Sequence, residues 1–396
     1  MMFADADQFF VRLKATWVAL FPGQMQALVS VTTNAVAIVV TFALLFAVTT
    51  LLERKGLGRM QNRYGPNRVG PWGLLQPLAD GLKMLIKEDI VPTGADRVVH
   101  FLAPVTLVLC VILGFAVIPM GHNMAATDLD AGLVFFFAAG AGSEVAVFMA
   151  GWASRSKYPL LGAMRAIAQV ISYEMPLVLS AVAVVMLAGT LSLVGIVQSQ
   201  EGYHWGWLAR WHVFTPWGLA GFLLFFTAAL AESNRSPFDI PEGESEIIAG
   251  HMVEYSGFKY ALFFLGEYLG LFALAGLGST LFLGGYLPPL AFLNWVPSWI
   301  WFLFKLMMLV SVFIWLRGTM PRLRADQLME FAWKFLLPMS LFNLVIAGAW
   351  KFSRTWSVPG GNLSRWLMGA ALLALAYLAL SRLFQARHKP RVYRYV

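Results

Sequence analysis

The chain has 396 residues, of which 59% are hydrophobic and only 13% charged, with a mean hydropathy of +0.68. Soluble domains carry about 25% charged residues, so the composition excludes a water-soluble globule and points to a polytopic membrane protein. The net charge of +8 is no nucleic-acid footprint, because membrane topology accounts for its placement.

The first ten residues, MMFADADQFF, have no basic n-region, so no cleavable signal peptide is expected. Residues 1–30 are expected on the outer face, with 8–21 lying flat on it. Nine apolar segments then follow, near 31–52, 98–119, 132–152, 166–188, 216–233, 260–284, 298–316, 328–349 and 366–386. Each is long enough to cross a hydrocarbon core of about 30 Å. Runs of Phe, Leu, Ala and Val without period-2 alternation favour helices over barrel strands. The expected fold is therefore all-α, one membrane domain over 1–396 with nine spans. Eight spans lie in 31–349, and the ninth, with a basic tail, lies in 350–396.

Nine spans put the termini on opposite sides. One side, holding loops 53–97, 153–166, 233–259 and 317–327 and the tail, collects 21 of the Lys and Arg residues; the other collects 6. The positive-inside rule makes the first side cytoplasmic. The N-terminus then faces out and the tail faces in.

Loop 53–97 opens with Arg54, Lys55, Arg59, Arg63 and Arg68, suited to anionic headgroups. Its part 72–87 is amphipathic. Gln76, Asp80, Lys83 and Lys87 share one face, and Leu74, Leu78, Leu82 and Leu85 cover the opposite one. Such a helix lies at the interface or packs on the bundle, and its polar face equally suits the wall of a cavity. Loop 153–166 is short and basic, explained by topology alone.

The single cysteine, Cys110, sits in an apolar span. One thiol builds no Fe–S cluster, disulfide or Cys-based zinc site. The six His residues show no metal-ligand pair, and no dinucleotide or phosphate loop is present, the lone GLG at 56–58 being too weak. Redox chemistry would need a diffusible cofactor or a partner.

Residues 231–257, AESNRSPFDIPEGESEIIAGHMVEYSG, run against the local charge bias. Glu232, Asp239, Glu242, Glu244, Glu246 and Glu254 face one firm positive charge, Arg235. Pro237 and Pro241 keep PFDIP extended or turning. Non-helical backbone at that depth survives only under a cover of protein or beside water. Inside the spans lie Glu144, Glu174 and Glu267, each about 12 Å below the cytoplasmic surface at 1.5 Å per residue. Lys305 and the pair Glu330 and Lys334 add further intramembrane charge. A charge at mid-bilayer costs roughly 2.5–3.5 kcal/mol on insertion scales. A lone buried Glu is often only glue between helices; three at one depth favour a proton or cation path.

Three long stretches carry a family resemblance: LERKGLGRMQNRYGPNRVGPWGLLQPLADGLKMLIKEDIVP, RAIAQVISYEMPL and AESNRSPFDIPEGESEIIAGHMVEYSGFKYALFFLGEY. They closely resemble the quinone-site membrane subunit family of respiratory complex I, that is, the H subunit of bacterial NADH:quinone oxidoreductase (NADH dehydrogenase subunit 1). The similarity runs from about residue 30 to residue 350. Ser233, Ser236 and Gly243 depart from the family pattern, and no carboxylate does.

The resemblance implies part of an enzyme without a redox centre of its own, holding no flavin, Fe–S cluster or metal. Its substrate is a quinone, ubiquinone or menaquinone, admitted through a chamber framed by span 1, the amphipathic helix and span 6. Residues matching chamber positions are Arg54, Asp80 and Lys83, with Arg235, Phe238, Glu242, Glu244 and Glu246 on the inner loop. Residues matching the family's carboxylate chain are Glu144, Glu174, Glu232, Glu254 and Glu267. Implied partners are peripheral-arm subunits at the cytoplasmic loops, small and antiporter-like membrane-arm subunits, and lipids. The implied location is the bacterial plasma (inner) membrane. On residues alone, a membrane anchor of an energy-converting hydrogenase, an autonomous cation or proton transporter and a structural scaffold stay open. The absence of an inverted repeat weighs against the transporter.

Overall fold

The first apolar stretch sets the scale of the molecule. No proline interrupts residues 23–60, and they form one helix. The computed structural model describes residues 6–204, 206–240, 248–353 and 361–383. Helix α1 is Phe9–Ala19, and α2 is Gly23–Met60, 38 residues. At 1.5 Å per residue α2 is about 57 Å long, nearly twice the hydrocarbon thickness. It continues eight residues past the expected end of span 1.

The amphipathic helix is α3, Gln76–Ile86, entered through a tight turn at Pro71–Gly73. Then come α4 (Arg97–Phe115), α5 (Gly132–Ala153), α6 (Lys157–Ala188) and the short α7 (Leu193–Ser199). A two-residue hairpin, β1 (Tyr203–His204) with β2 (Leu208–Ala209), follows, pairing Tyr203 with Ala209. The chain then builds α8 (Pro216–Glu232), α9 (Gly257–Phe282) and α10 (Ser298–Thr319). Helix α11 (Ala325–Phe331) runs through a π-turn at Ala332–Leu336 into α12 (Leu337–Phe352), and α13 is Gly361–Leu383.

All nine expected spans are helices. Eight of them are long and apolar enough to cross a bilayer, and α8 is a shorter apolar helix of 17 residues. The protein is thus an all-α polytopic membrane protein, with the small hairpin as an unforeseen addition. Helix α6 starts at Lys157, nine residues before the expected start of span 4. Most of the basic stretch 153–166, expected as a loop, is helical, and Lys157 and Arg165 both lie on α6.

Helix α9 is the axis of the bundle. Every residue from Leu271 to Phe282 is buried, and α4, α8 and α10 pack around it, with α5 and α6 outside α4 and α8. Small residues permit this. A Cβ on Gly266 would lie 2.7 Å from a Leu107 methyl, and one on Gly278 would lie 2.9 Å from the Phe225 ring. Close backbone approach of this kind replaces the hydrophobic drive that lipid cannot supply. Phe42 and Phe115 add an aromatic contact between α2 and α4, with ring centroids 3.7 Å apart. Helix α13 closes against α8 and α12. There Arg365 lies over the Trp350 ring, and Trp366 donates to the Phe214 carbonyl.

Two details bear on charges near the bundle. Asp96 caps α4, accepting from the amides of Val98 and Val99 at 3.1 and 3.3 Å. Asp96→Ala is expected to lower stability by about 1 kcal/mol, the usual loss for a side-chain cap. A thermal scan of the purified protein checks this. The pair Glu330–Lys334 forms at 2.7 Å, but both side chains are more than half exposed. Their place is the outer wall of the bundle, not its interior, because α11 and the π-turn after it turn Leu328, Ala332 and Leu336 inward and these residues outward.

Candidate ionic cluster and carboxylate cavity

The amphipathic helix is fastened to the end of α2 by its polar side. Arg54 pairs with Asp80, Gln76 donates to Asp80 at 2.9 Å, and Lys55 Nζ donates to the Trp72 carbonyl at 2.5 Å. Its other flank touches α9. Ser256 donates to the Glu88 carbonyl, and Lys259 pairs with Asp89 at 2.8 Å. Lys83 stands exposed, and Leu74, Leu78, Leu82, Leu85 and Ile86 are exposed as well. Gln76 and Asp80 thus meet protein, Lys83 stays exposed, and the apolar face is left for lipid or a partner, as in an interfacial helix.

Beside this helix lies a charge that the sequence pattern does not single out. Glu53, on α2, is only 3% exposed. Its Oε1 accepts from Arg235 at 2.8 Å and from Arg317, and its Oε2 accepts from the Tyr268 hydroxyl at 2.5 Å. The Arg235 guanidinium also lies 4.2 Å from the centroid of the Tyr268 ring. One carboxylate thus gathers two guanidiniums and a phenol from α9, α10 and the loop after α8. Burial alone would pull the Arg235 pKa down, but Glu53, Tyr268 and Glu267 more than reverse this and hold it above its ordinary value. The guanidinium therefore stays charged at every physiological pH. In sequence Glu53 is masked by the basic run that follows it. The usable signal is a lone acid at the end of an apolar run, where topology favours only cations.

The loop carrying Arg235 is folded onto the bundle, as its prolines require. Asn234 adopts a left-handed conformation (φ 49°). Gln169 of α6 donates to the carbonyls of Ala231 and Phe238 at 2.8 and 2.7 Å. Arg322 pairs with Asp239 at 2.7 Å, and the Leu323 amide donates to the Pro237 carbonyl at 3.0 Å. Phe238 is buried with its ring 5.4 Å from that of Tyr173 and lines neither of the cavities described next. Glu242, Glu244 and Glu246 lie outside the described residues, as does most of GESEIIAG.

Two cavities adjoin this loop. The smaller, about 30 Å³, is lined by Arg235, Ser236, Asp239, Tyr268 and Arg317, together with Asn234 and Glu267. The larger, about 100 Å³, holds Glu144, Glu232, Ser143 and His251, and again Asn234 and Glu267. Asn234 and Glu267 therefore form the shared wall. A volume of 100 Å³ admits several waters, since one needs roughly 10–15 Å³ by this measure. Glu232 Oε2 has no hydrogen-bond partner among the described residues.

The structure thus brings three of the sequence-selected carboxylates, Glu144, Glu232 and Glu267, into one space. Glu174 is outside the lining but close enough to Glu144 and Glu232 to act on both electrostatically. Glu254 is half-buried one residue before Tyr255, whose ring lies flat on His100 with centroids 3.9 Å apart. Burial pushes the Tyr255 hydroxyl above its ordinary value. Among the described residues, no three His, Cys, Asp or Glu side chains converge as a metal site.

Fold and site together define a polytopic α-helical membrane protein with a buried ionic cluster set beside a carboxylate-lined, water-sized cavity. A model of the NADH dehydrogenase family matches residues 33–348. The NADH-quinone oxidoreductase H subunit of Geobacillus kaustophilus is 50% identical over 306 residues, covering 76% of this chain and 89% of the relative. Its counterparts of the same name in Methylibium petroleiphilum and Rickettsia prowazekii are 43% and 45% identical, each over 79% of this chain and over 89% and 91% of their own lengths. The chain belongs to this family, the H subunits of NADH-quinone oxidoreductase. The match ends at residue 348, before helix α13 begins.

Proposed function

We propose that the chain is the membrane subunit of a proton-translocating NADH:quinone oxidoreductase, admitting quinone beside the Glu53 cluster and passing its protonation events to the buried carboxylates. The membership just described supports the first half. One observation carries the second: the cavity at the Arg235 cluster and the cavity of Glu144 and Glu232 share a wall made by Asn234 and Glu267. A quinone reduced near Arg235 takes up two protons and passes through negatively charged states. Those states act on Glu267 across a few ångströms of low dielectric, and Glu267 faces Glu232 and Glu144 on its other side. The chamber itself we assign to α2, α3 and α9, with Arg54, Asp80 and Lys83 at its mouth and Arg235 deeper. Phe238 supports the loop from behind. Glu242, Glu244, Glu246 and Glu254 belong to the same loop.

The chain supplies no redox centre in this reading; electrons come from partner subunits docked on the basic and acidic loops, and lipid meets the apolar face of α3. The placement is the bacterial inner membrane, with the N-terminus outside and the tail inside, following the bias of 21 basic residues against 6.

Two measurements test this. A mild-detergent purification of the tagged chain should bring down an assembly with flavin, Fe–S absorbance and inhibitor-sensitive NADH:quinone activity. Hydrogen evolution by that assembly, or ion movement by the chain alone, would replace the proposal with the hydrogenase anchor or the transporter. Glu267→Gln and Glu144→Gln, which keep side-chain volume, are expected to cut proton pumping per NADH oxidised severalfold while the assembly still forms. Unchanged pumping in both would remove the carboxylate path.

A further inference from the structure

The larger cavity contains a titratable residue that neither the carboxylate chain nor the quinone chamber uses. His251 is only 2% exposed, and it lines the space shared by Glu144, Glu232 and Glu267. Its position is firmly set. The turn Gly250–Met252 lies directly on α6 at Gly162, where an added Cβ would stand 2.6 Å from Gly250 Cα and 2.9 Å from the His251 amide nitrogen. One side of the imidazole rests edge-on against Phe263, with centroids 5.4 Å apart and planes at 75°. His251 is also the first titratable residue after Glu246 along the chain.

The titratable groups that line the cavity with it are mostly acids. Glu144 comes from α5, Glu232 from α8 and Glu267 from α9, with Cys110 on α4. Helix α6 turns Ala166, Ile167 and Val170 to the cavity, with half-buried Arg165 adjacent in sequence. Its own segment carries Glu254 and Tyr255. Burying an imidazole among three carboxylates is a poor choice for packing alone, where Phe would fill the same space without polar atoms. It is a good choice for moving protons, because imidazole accepts on one ring nitrogen and donates from the other.

We propose that His251 is a proton-exchanging residue of the carboxylate cavity, taking a proton from the acid form of Glu267, directly or through cavity water, and releasing one to the carboxylate of Glu144 or Glu232. The transfer balances. Glu267 loses a proton, one ring nitrogen gains it, the opposite N–H leaves to the receiving carboxylate, and the ring ends neutral in its other tautomer. This inference rests on the proton-path reading of the cavity and adds a carrier to it. His251 acts on the reaction through the carboxylates and does not touch quinone.

The test uses the assembled complex in proteoliposomes, with His251→Phe, His251→Gln and Glu267→Gln prepared in parallel. Initial pumping rate is read at matched NADH oxidation between about pH 5 and 8, the range in which an imidazole can titrate. Both His251 variants are expected to lose roughly tenfold in pumping rate, below the 10²–10⁴ typical of positioned proton-transfer groups because cavity water offers a bypass. Both should also lose the pH dependence of the native complex. A packing role would spare Phe, and a hydrogen-bonding role would spare Gln, so native pumping in either overturns the proposal. Failure of both to accumulate makes His251 a packing residue and overturns it too. If Glu267→Gln pumps normally, the proton-path reading itself fails. If Glu267→Gln is impaired and the His251 variants are not, only this inference does.

Discussion

Glu53→Ala is expected to abolish accumulation of the folded subunit. Removing this carboxylate leaves Arg235, itself 7% exposed, as a buried charge stripped of its salt bridge to Glu53. Breaking a buried pair from one side costs about 3–5 kcal/mol, a large share of the roughly 5–15 kcal/mol by which proteins are stable. Tyr268 loses its acceptor in the same step. Glu53→Gln keeps the volume and one oxygen acceptor, so it should accumulate at reduced level with strongly lowered quinone reduction. Glu53→Gln combined with Arg235→Gln should recover stability relative to Glu53→Gln alone, because removing both charges is cheaper than stranding one. Protein content in membranes, a thermal scan and the NADH:quinone rate read all three. Native levels and rates for Glu53→Ala would dispose of the cluster as a structural element.

The second large effect is expected at the opposite end of the bundle. Lys305 of α10 is 3% exposed. Its ammonium donates to the carbonyls of Leu283, Gly285 and Leu287 at 2.6, 2.7 and 2.6 Å, with the Trp211 ring 4.0 Å away. Three N–H groups meet three carbonyls just past the C-terminus of α9, where unsatisfied carbonyls and the helix dipole both favour a cation. Lys305→Met keeps the stem but orphans these carbonyls, at about 1–3 kcal/mol each, offset in part by no longer burying a charge. A net loss of roughly 2–4 kcal/mol is expected. Lys305→Arg should not rescue it, because a planar guanidinium cannot point three donors at carbonyls set around an ammonium. The thermal midpoint of the solubilised protein measures this, and an unchanged midpoint for Lys305→Met would refute it.

Lys305 and Glu53 show where the sequence is legible and where it is not. Hydrophobic length reveals the helices at all nine expected spans, because a bilayer imposes one period and one minimum span on every crossing. The amphipathic helix is visible because its two faces differ along only eleven residues. Glu144 and Glu267 stand out because a charge in an apolar run has few bland explanations. Glu53 does not, since Arg54 and Lys55 beside it make it look like the start of a loop, and only the fold brings Arg235 and Arg317 to it from positions 182 and 264 residues away. Lys305 is conspicuous as a charge, but its carbonyl partners belong to a turn that no periodicity marks. Glu330 and Lys334 mislead in the other direction, because an i, i+4 pair within a span says nothing about which way that face of the helix points.

Helix α2 carries one more consequence. Glu53 stands on the same unbroken rod that crosses the bilayer, with no glycine between Gly23 and Gly56 and no proline after Pro22. The acid of the cluster is therefore its stiff member: it cannot shift without tilting a helix of 38 residues against the surrounding bundle. Arg235 stands instead three residues past the end of α8, next to an asparagine already held in left-handed backbone, and Arg317 sits in the last turn of α10. Any load on this cluster is taken up by the bases, while the acid holds still as a fixed reference point. Mechanical compliance at the site is one-sided, and it lies on the side of the wall shared with Glu267.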